Sequence, residues 1–117
     1  MILAVVDDLL FRARLESVAQ ATGVRLQLAA DGKEALQSLN DAGVDCVMID
    51  LNLAGGNALE IVRLLRAAAS HLNIIGYCAH VQQELQQQAA EAGCTKVLAR
   101  SEFVQALPAL FVKAQRV

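Results

Sequence analysis

The chain has 117 residues, of which 56% are hydrophobic and 19% are charged, a composition that suits one packed domain and excludes a disordered chain. The net charge of -2 and the scattered Lys and Arg residues argue against partners such as nucleic acid or an anionic membrane surface. The number of cysteines, three, favours reduced thiols in a cytoplasmic protein over a disulfide framework.

Five short apolar runs predict five β-strands, each bounded by a helical pattern or a turn signal. The predicted strands are residues 2–6, 24–29, 45–49, 73–78 and 96–99. Because the first strand is expected to begin at Ile2, we expect no signal peptide before it.

Helical patterns with recognisable boundaries follow the strands. The first helix is expected to end at Gly23, since glycine is common just after the last helical residue. Asp31 with Glu34, and Asn57 with Glu60, each match an N-cap residue followed three positions later by a carboxylate. These pairs predict the starts of the second and third helices.

The last two helices have a mixed pattern. Val81, Leu85 and Ala89 place apolar residues on one face of the fourth helix. Pro108 lies inside the apolar pattern of the fifth helix, where proline would remove a backbone hydrogen bond. We therefore expect Pro108 to divide a short opening turn from the main helix.

Strands and helices alternate strictly, with short connections and no composition shift that would mark a linker. This alternation is typical of an α/β fold, in which helices cover both faces of a parallel sheet. We therefore predict a single domain over residues 1–117 with a five-stranded parallel sheet.

Carboxylates stand at the ends of two predicted strands: Asp7 and Asp8 after the first, and Asp50 after the third. Ligands of open α/β sheets bind outside the carboxyl ends of the strands. If the first and third strands are neighbours, the three acids share one pocket, and such a group of like charges favours a bound cation. An all-oxygen set of ligands indicates Mg²⁺.

Each of these signals also has a simpler interpretation. Asp7 and Asp8 could serve as N-cap and first-turn residues of the following helix. Cys78, at the end of the fourth strand, could be a small buried apolar residue, and Arg100, after the fifth, could be solvated. Their shared position at one edge of the predicted sheet favours a functional site.

Three stretches of the chain resemble the receiver domains of bacterial two-component response regulators. They are VVDD at 5–8, VDCVMIDLNLAGGNALEI at 44–61 and AGCTKVLARSEF at 92–103. The resemblance covers essentially the whole chain, and it implies the flavodoxin-like strand order 2-1-3-4-5.

The resemblance also implies roles for the acidic residues. Asp50 would accept the phosphoryl group and contact Mg²⁺, with Asp8 as a direct metal ligand, Asp7 as a ligand through water and Asn52 as a ligand through its backbone carbonyl. The phosphoryl group would come from the phosphohistidine of a sensor histidine kinase or phosphotransfer protein, or from a small acyl phosphate. A carboxylate beside Mg²⁺ is a suitable nucleophile for such a transfer.

Several positions depart from the family pattern. Cys78 stands where the family has Ser or Thr, and Arg100 stands where it has Lys. A thiol is a weaker hydrogen-bond donor than a hydroxyl, and a guanidinium is larger and flatter than an ammonium. Val97 stands where many receivers have Tyr or Phe, and Ala54 where they usually have Pro. We therefore expect an atypical receiver in which Asp50, Arg100 and Cys78 form an altered switching site.

Two other functions remain as alternatives. The chain could be a pseudo-receiver, an interaction module whose partner contacts do not depend on phosphate. A phosphatase with an aspartyl nucleophile usually needs Asp-x-Asp, and here Leu9 and Asn52 occupy the second acidic position. We therefore do not expect an enzyme.

The resemblance points to a protein partner. In the family the signal leaves through the fourth helix, the fifth strand and the fifth helix. Here that surface would expose five glutamines within residues 82–88. We expect this neutral face to bind a downstream protein or a second copy of the chain, as a homodimer.

Overall fold

The computed structural model describes residues 1–40, 43–80 and 82–115, and Val81 of the predicted fourth-helix face lies outside this part of the chain. Five parallel strands form one sheet in the order β2-β1-β3-β4-β5. The strands are β1 (Ile2–Val5), β2 (Leu26–Ala29), β3 (Cys46–Asp50), β4 (Asn73–Cys78) and β5 (Lys96–Ala99). The predicted α/β fold and strand order are confirmed.

A helix follows each strand. The helices are α1 (Leu9–Thr22), α2 (Gly32–Asn40), α3 (Ala58–Ala68), α4 (Gln83–Ala92) and α5 (Arg100–Gln115). Gly23 ends α1 in the left-handed conformation with φ 72°, as predicted. Asp31 Oδ1 accepts the Glu34 N–H at 2.9 Å, which confirms the start predicted for α2.

Asn57 occupies the N-cap position directly before α3, which confirms the predicted start, although its side chain makes no capping hydrogen bond and its backbone carbonyl accepts from the Ile61 N–H at 3.1 Å. The prediction for Pro108 is wrong, because Pro108 lies inside a continuous α5 instead of dividing it. The helix continues because Leu107 and Phe111 are both buried in the same core, while Pro108 itself is exposed. The carbonyl that loses its partner to proline can then face water.

Two apolar cores lie on the two faces of the sheet. Buried residues of α2, α3 and α4 cover one face, which we call the α2–α4 face. Buried residues of α1 and α5 cover the other, the α1/α5 face. Alternate residues of each strand contribute to opposite cores, as the two-residue period of a strand requires.

Arg66, near the end of α3, connects this helix to the loop before β5 by hydrogen bonds. Its guanidinium donates to the carbonyls of Gly93 at 2.7 Å, Leu72 at 2.7 Å and Ser70 at 2.9 Å. Gly93 has φ 128°, and a Cβ atom there would stand 2.8 Å from Arg66 Cβ. Both the conformation and the close approach therefore require glycine.

We expect Arg66→Met to lower the free energy of unfolding by about 2 kcal/mol, because it leaves several backbone carbonyls without their donor. Arg63→Met is the matched control, since Arg63 lies in the same helix and is exposed. Urea unfolding followed by circular dichroism measures both. Equal stability of the two variants would contradict the role given to Arg66.

The cysteine thiols Cys46, Cys78 and Cys94 are all free and buried. Burial raises the pKa of the Cys46 and Cys94 thiols from 9.0 to about 11. The folded state favours the protonated thiols, so their contribution to stability is complete below pH 9 and is lost as the pH rises towards 11.

We therefore expect the native chain to react slowly with a thiol-specific disulfide reagent at mildly alkaline pH, and the urea-unfolded chain to react quickly at all three cysteines. Urea unfolding should also show stability falling between pH 9 and 11. A native thiol that reacts as fast as in the unfolded chain would be inconsistent with this burial.

Candidate functional site

An acidic pocket lies at the carboxyl edge of the sheet, where β1 and β3 pair side by side. Asp7 and Asp8 follow β1, and Asp50 is the last residue of β3. The pocket has a volume of about 240 Å³ and is lined by Asp7, Asp8, Asp50, Asn52, Ala54, Tyr77, Ala79 and Arg100. Strand order thus brings the three acids together from positions more than 40 residues apart.

Larger clefts lie elsewhere among the described residues. One, of about 610 Å³, lies between α1 and β2, another, of about 560 Å³, lies near the amino ends of β3, β4 and β5, and a third, of about 620 Å³, lies along α5. None of the three brings several carboxylates together. The acidic pocket is therefore the better candidate, although it is smaller.

Asp8 is the N-cap of α1, as its simpler interpretation predicts, and it also faces the pocket. Its Oδ1 accepts the N–H groups of Leu10 at 3.0 Å and Phe11 at 3.2 Å. Its Oδ2 lies 3.5 Å from Arg100 Nη2. The hydrogen bond from the Phe11 N–H is the main reason that the pKa of Asp8 is lowered, with further contributions from Leu10 and Arg100.

Asp7 and Asp50 each hold a nearby loop by one carboxylate oxygen. Asp7 Oδ2 accepts the Ala54 N–H at 3.0 Å, and Asp50 Oδ1 accepts the Asn52 N–H at 2.8 Å. Burial raises the pKa of Asp50, and the neighbouring carboxylate of Asp7 raises it further. The Asn52 N–H and the Arg100 charge oppose this rise.

Arg100 begins α5 and reaches back across the pocket towards α1. Its side chain is 49% exposed, so its contact with Asp8 is a partly solvated ion pair of modest strength. Its guanidinium carbon also lies 4.7 Å from the ring centroid of Phe11. Phe11 therefore positions the one basic side chain that lines the acidic pocket.

Asn52 connects the loop after β3 to the loop after β4. Its side-chain Oδ1 accepts the Ala79 N–H at 2.9 Å. Asn52 also lines the acidic pocket.

Cys78 lies beside the pocket without lining it. It is buried in the core of the α2–α4 face, and its Sγ donates to the His80 carbonyl at 3.2 Å. Burial is the main cause of the raised pKa of this thiol, with a further contribution from the Asp50 charge. Val97 is partly buried against the same core.

Tyr77 is a pocket residue that the sequence analysis missed. It stacks on Phe103 with ring centroids 4.4 Å apart and on Phe11 with centroids 5.0 Å apart. The sequence could have indicated this role of Tyr77. In the predicted strand order the end of β4, which contains Tyr77, lies beside the end of β3, which contains Asp50. Asp50 and Tyr77 are register partners and so face the same side of the sheet.

The donor set suits Mg²⁺, which takes one or two carboxylates together with carbonyl, water and phosphoryl oxygens. Asp7 Oδ1 and Asp50 Oδ2 accept no hydrogen bond from the described residues. Within residues 1–40, 43–80 and 82–115, however, no group of three or more His, Cys, Asp or Glu side chains is arranged so that it could hold a metal ion. Mg²⁺ bound in a protein usually keeps several of its waters.

Comparison with known proteins agrees with this architecture. The profile described as the response regulator receiver domain matches residues 2–110. The aerobic respiration control protein ArcA of Escherichia coli (strain K12) is 39% identical over 69 residues, which are 59% of this chain and 29% of ArcA. The sensor histidine kinase RcsC of Salmonella typhi is 29% identical over 118 residues, which cover all of this chain and 12% of RcsC.

The solved receiver domain of NtrX from Brucella abortus superimposes with a TM-score of 0.84 at 20% identity, over 100% of this chain and 99% of that one. This likeness shows the fold, while ArcA and RcsC are much longer than the part that this chain matches. Because the family profile spans nearly the entire sequence, the chain belongs to the response regulator receiver domain family of two-component systems.

Proposed function

We propose that this receiver domain accepts a phosphoryl group on Asp50 in a Mg²⁺-dependent reaction. The observation that carries the proposal is the half-buried Asp50 carboxylate, which lies in one pocket with Asp7 and Asp8. One oxygen of Asp50 is fixed by the Asn52 N–H, which leaves Oδ2 to attack phosphorus.

In the proposed step, Asp50 Oδ2 forms a bond to phosphorus while the phosphorus–nitrogen bond of a donor phosphohistidine breaks. The released imidazole nitrogen takes a proton, and an acyl phosphate remains on Asp50. Asp8, Asp50 and the Asn52 carbonyl would hold Mg²⁺ directly, with Asp7 acting through a bound water, and the bound ion would neutralise charge on the phosphoryl oxygens. Arg100 supplies a second positive charge at the same pocket.

The switching half of the site is proposed to be atypical. The Cys78 thiol is buried and bonded to the His80 carbonyl, so it is poorly placed to follow a change at Asp50. Val97 offers no ring that could turn between a buried and an exposed position. These features favour the alternative of a phosphate-independent interaction module, which the experiment below distinguishes.

We further propose that a sensor histidine kinase or a phosphotransfer protein supplies the phosphoryl group in the cytoplasm, and that the domain is a signalling protein and not an enzyme. No helix of the described residues is long and apolar enough to cross a membrane. The surface of α4, β5 and α5 would contact a downstream protein or a second copy. Its exposed glutamines, such as Gln83 and Gln87, favour a neutral contact.

We expect intact-mass spectrometry to find one phosphoryl adduct after incubation with acetyl phosphate and Mg²⁺. Asp50→Asn should abolish the adduct because it removes the nucleophile, and chelation of Mg²⁺ should abolish it as well. Asp31→Asn is the matched control, since Asn can also cap α2 and the position lies outside the pocket.

Some receivers accept phosphate only from a kinase, so beryllofluoride binding is measured in parallel. Failure to form the adduct, together with failure to bind beryllofluoride, would exclude phosphoryl transfer and leave the interaction module.

Arg100→Gln should tighten Mg²⁺ binding about two- to fivefold, because the ion then no longer competes with a guanidinium for Asp8. Isothermal titration calorimetry measures this affinity. Arg14→Gln makes the same charge change at an exposed position of α1 outside the acidic pocket, and it serves as the control. Identical affinities in all three proteins would show that Asp8 and Arg100 do not compete with the ion.

A further inference from the structure

The hydroxyl of Tyr77 is a buried polar group without a partner. The side chain is 2% exposed, and its oxygen is the one buried side-chain N or O atom that lacks a hydrogen bond within the part of the chain that the structure describes. Buried polar groups of native proteins are nearly always bonded, so an unpartnered one calls for an explanation such as a bound ligand.

The position of Tyr77 points to the acidic pocket as the source of that ligand. Tyr77 and Asp50 are register partners on adjacent strands, and their side chains lie on the same face of the sheet. Both residues line the pocket. Burial, and after it the Asp50 charge, raises the pKa of Tyr77, so the hydroxyl remains a neutral donor.

The ring of Tyr77 is held in place by two other rings. It stacks on Phe103 at an interplanar angle of 8° and on Phe11 at 27°. Phe11 also carries the Arg100 guanidinium. The stacking therefore fixes the orientation of the Tyr77 ring, which lines the pocket together with Arg100.

Most other donors near the pocket are already used. The N–H groups of Ala54, Asn52 and Ala79 bond to Asp7, Asp50 and the Asn52 side chain. The Cys78 thiol bonds to the His80 carbonyl. Tyr77 thus offers a hydroxyl that has no competing acceptor among the described residues.

We propose that the Tyr77 hydroxyl donates a hydrogen bond to an oxygen of the phosphoryl group on Asp50, so that Tyr77 supplies the hydroxyl that Cys78 does not. This inference rests on the proposed phosphorylation of Asp50 and adds a residue that binds the phosphoryl group. No bond of Tyr77 is made or broken other than the hydrogen bond.

The test uses the fact that Tyr77 is the only tyrosine in a chain without tryptophan. Its ultraviolet absorption and fluorescence therefore report on this one hydroxyl. We expect Mg²⁺ with beryllofluoride, which mimics the phosphoryl group, to shift the tyrosine absorption, whereas Mg²⁺ alone should leave it unchanged.

Tyr77→Phe removes the hydroxyl and keeps the ring. It should weaken beryllofluoride binding about tenfold, because a hydrogen bond to a charged group is lost. It should also shorten the lifetime of the phosphoryl adduct, measured by intact-mass spectrometry, while Mg²⁺ affinity stays the same. Its thermal midpoint should be unchanged or higher, since the hydroxyl has no partner in the free protein.

Each other result has a definite meaning. Equal beryllofluoride affinity and adduct lifetime in Tyr77→Phe, with no shift of the wild-type absorption, would overturn the inference and leave phosphorylation of Asp50 intact. A shift with Mg²⁺ alone, with weaker Mg²⁺ binding by the variant, would assign the hydroxyl to a metal-bound water and overturn the inference. If the wild type neither binds beryllofluoride nor forms the adduct, the proposed function fails, and this inference fails with it.

Discussion

The rest of the site depends on one electrostatic constraint, the meeting of three carboxylates in a single pocket. Like charges in a partly buried space disfavour one another, and the raised pKa of Asp50 is one sign of this cost, after burial itself. The fold opposes the cost with a backbone N–H for each acid, donated by Phe11 to Asp8, Ala54 to Asp7 and Asn52 to Asp50. The same bonds fix the loops that shape the pocket, so local structure and the acidic cluster support each other.

Stacked aromatic residues beside the pocket hold two of its side chains, Tyr77 and Arg100, in place. Phe11 lies in the first turn of α1 and holds both Tyr77, by stacking, and Arg100, beneath its guanidinium. A long and partly exposed arginine would otherwise sample many rotamers, which makes its ion pair with Asp8 weak by itself. The ring reduces this freedom, and the packing of α1 against α5 thereby contributes to the chemistry of the pocket.

The alternation of strands and helices could be predicted from the sequence because the apolar runs and the ends of the strands are local patterns, whereas the strand order was implied by the family resemblance. Parallel pairing then forces Asp7, Asp8 and Asp50 to one edge whatever the details of the loops. Pro108 was mispredicted because burial of Leu107 and Phe111 outweighs one missing backbone bond on an exposed side. Tyr77 was missed because the sequence alone shows only an apolar residue in a strand. Its place in the pocket follows from its partner across the sheet, Asp50.

All four aromatic residues of the chain, Phe11, Tyr77, Phe103 and Phe111, belong to the core of the α1/α5 face. The core of the α2–α4 face, which contains Cys78, consists of aliphatic residues, alanines and cysteines. Asp50 is on the aromatic side with Tyr77, and burial followed by the Asp50 charge raises the pKa of both Tyr77 and Cys78. Asp50 therefore lies on the face of the sheet where rings from α1, β4 and α5 stack on one another.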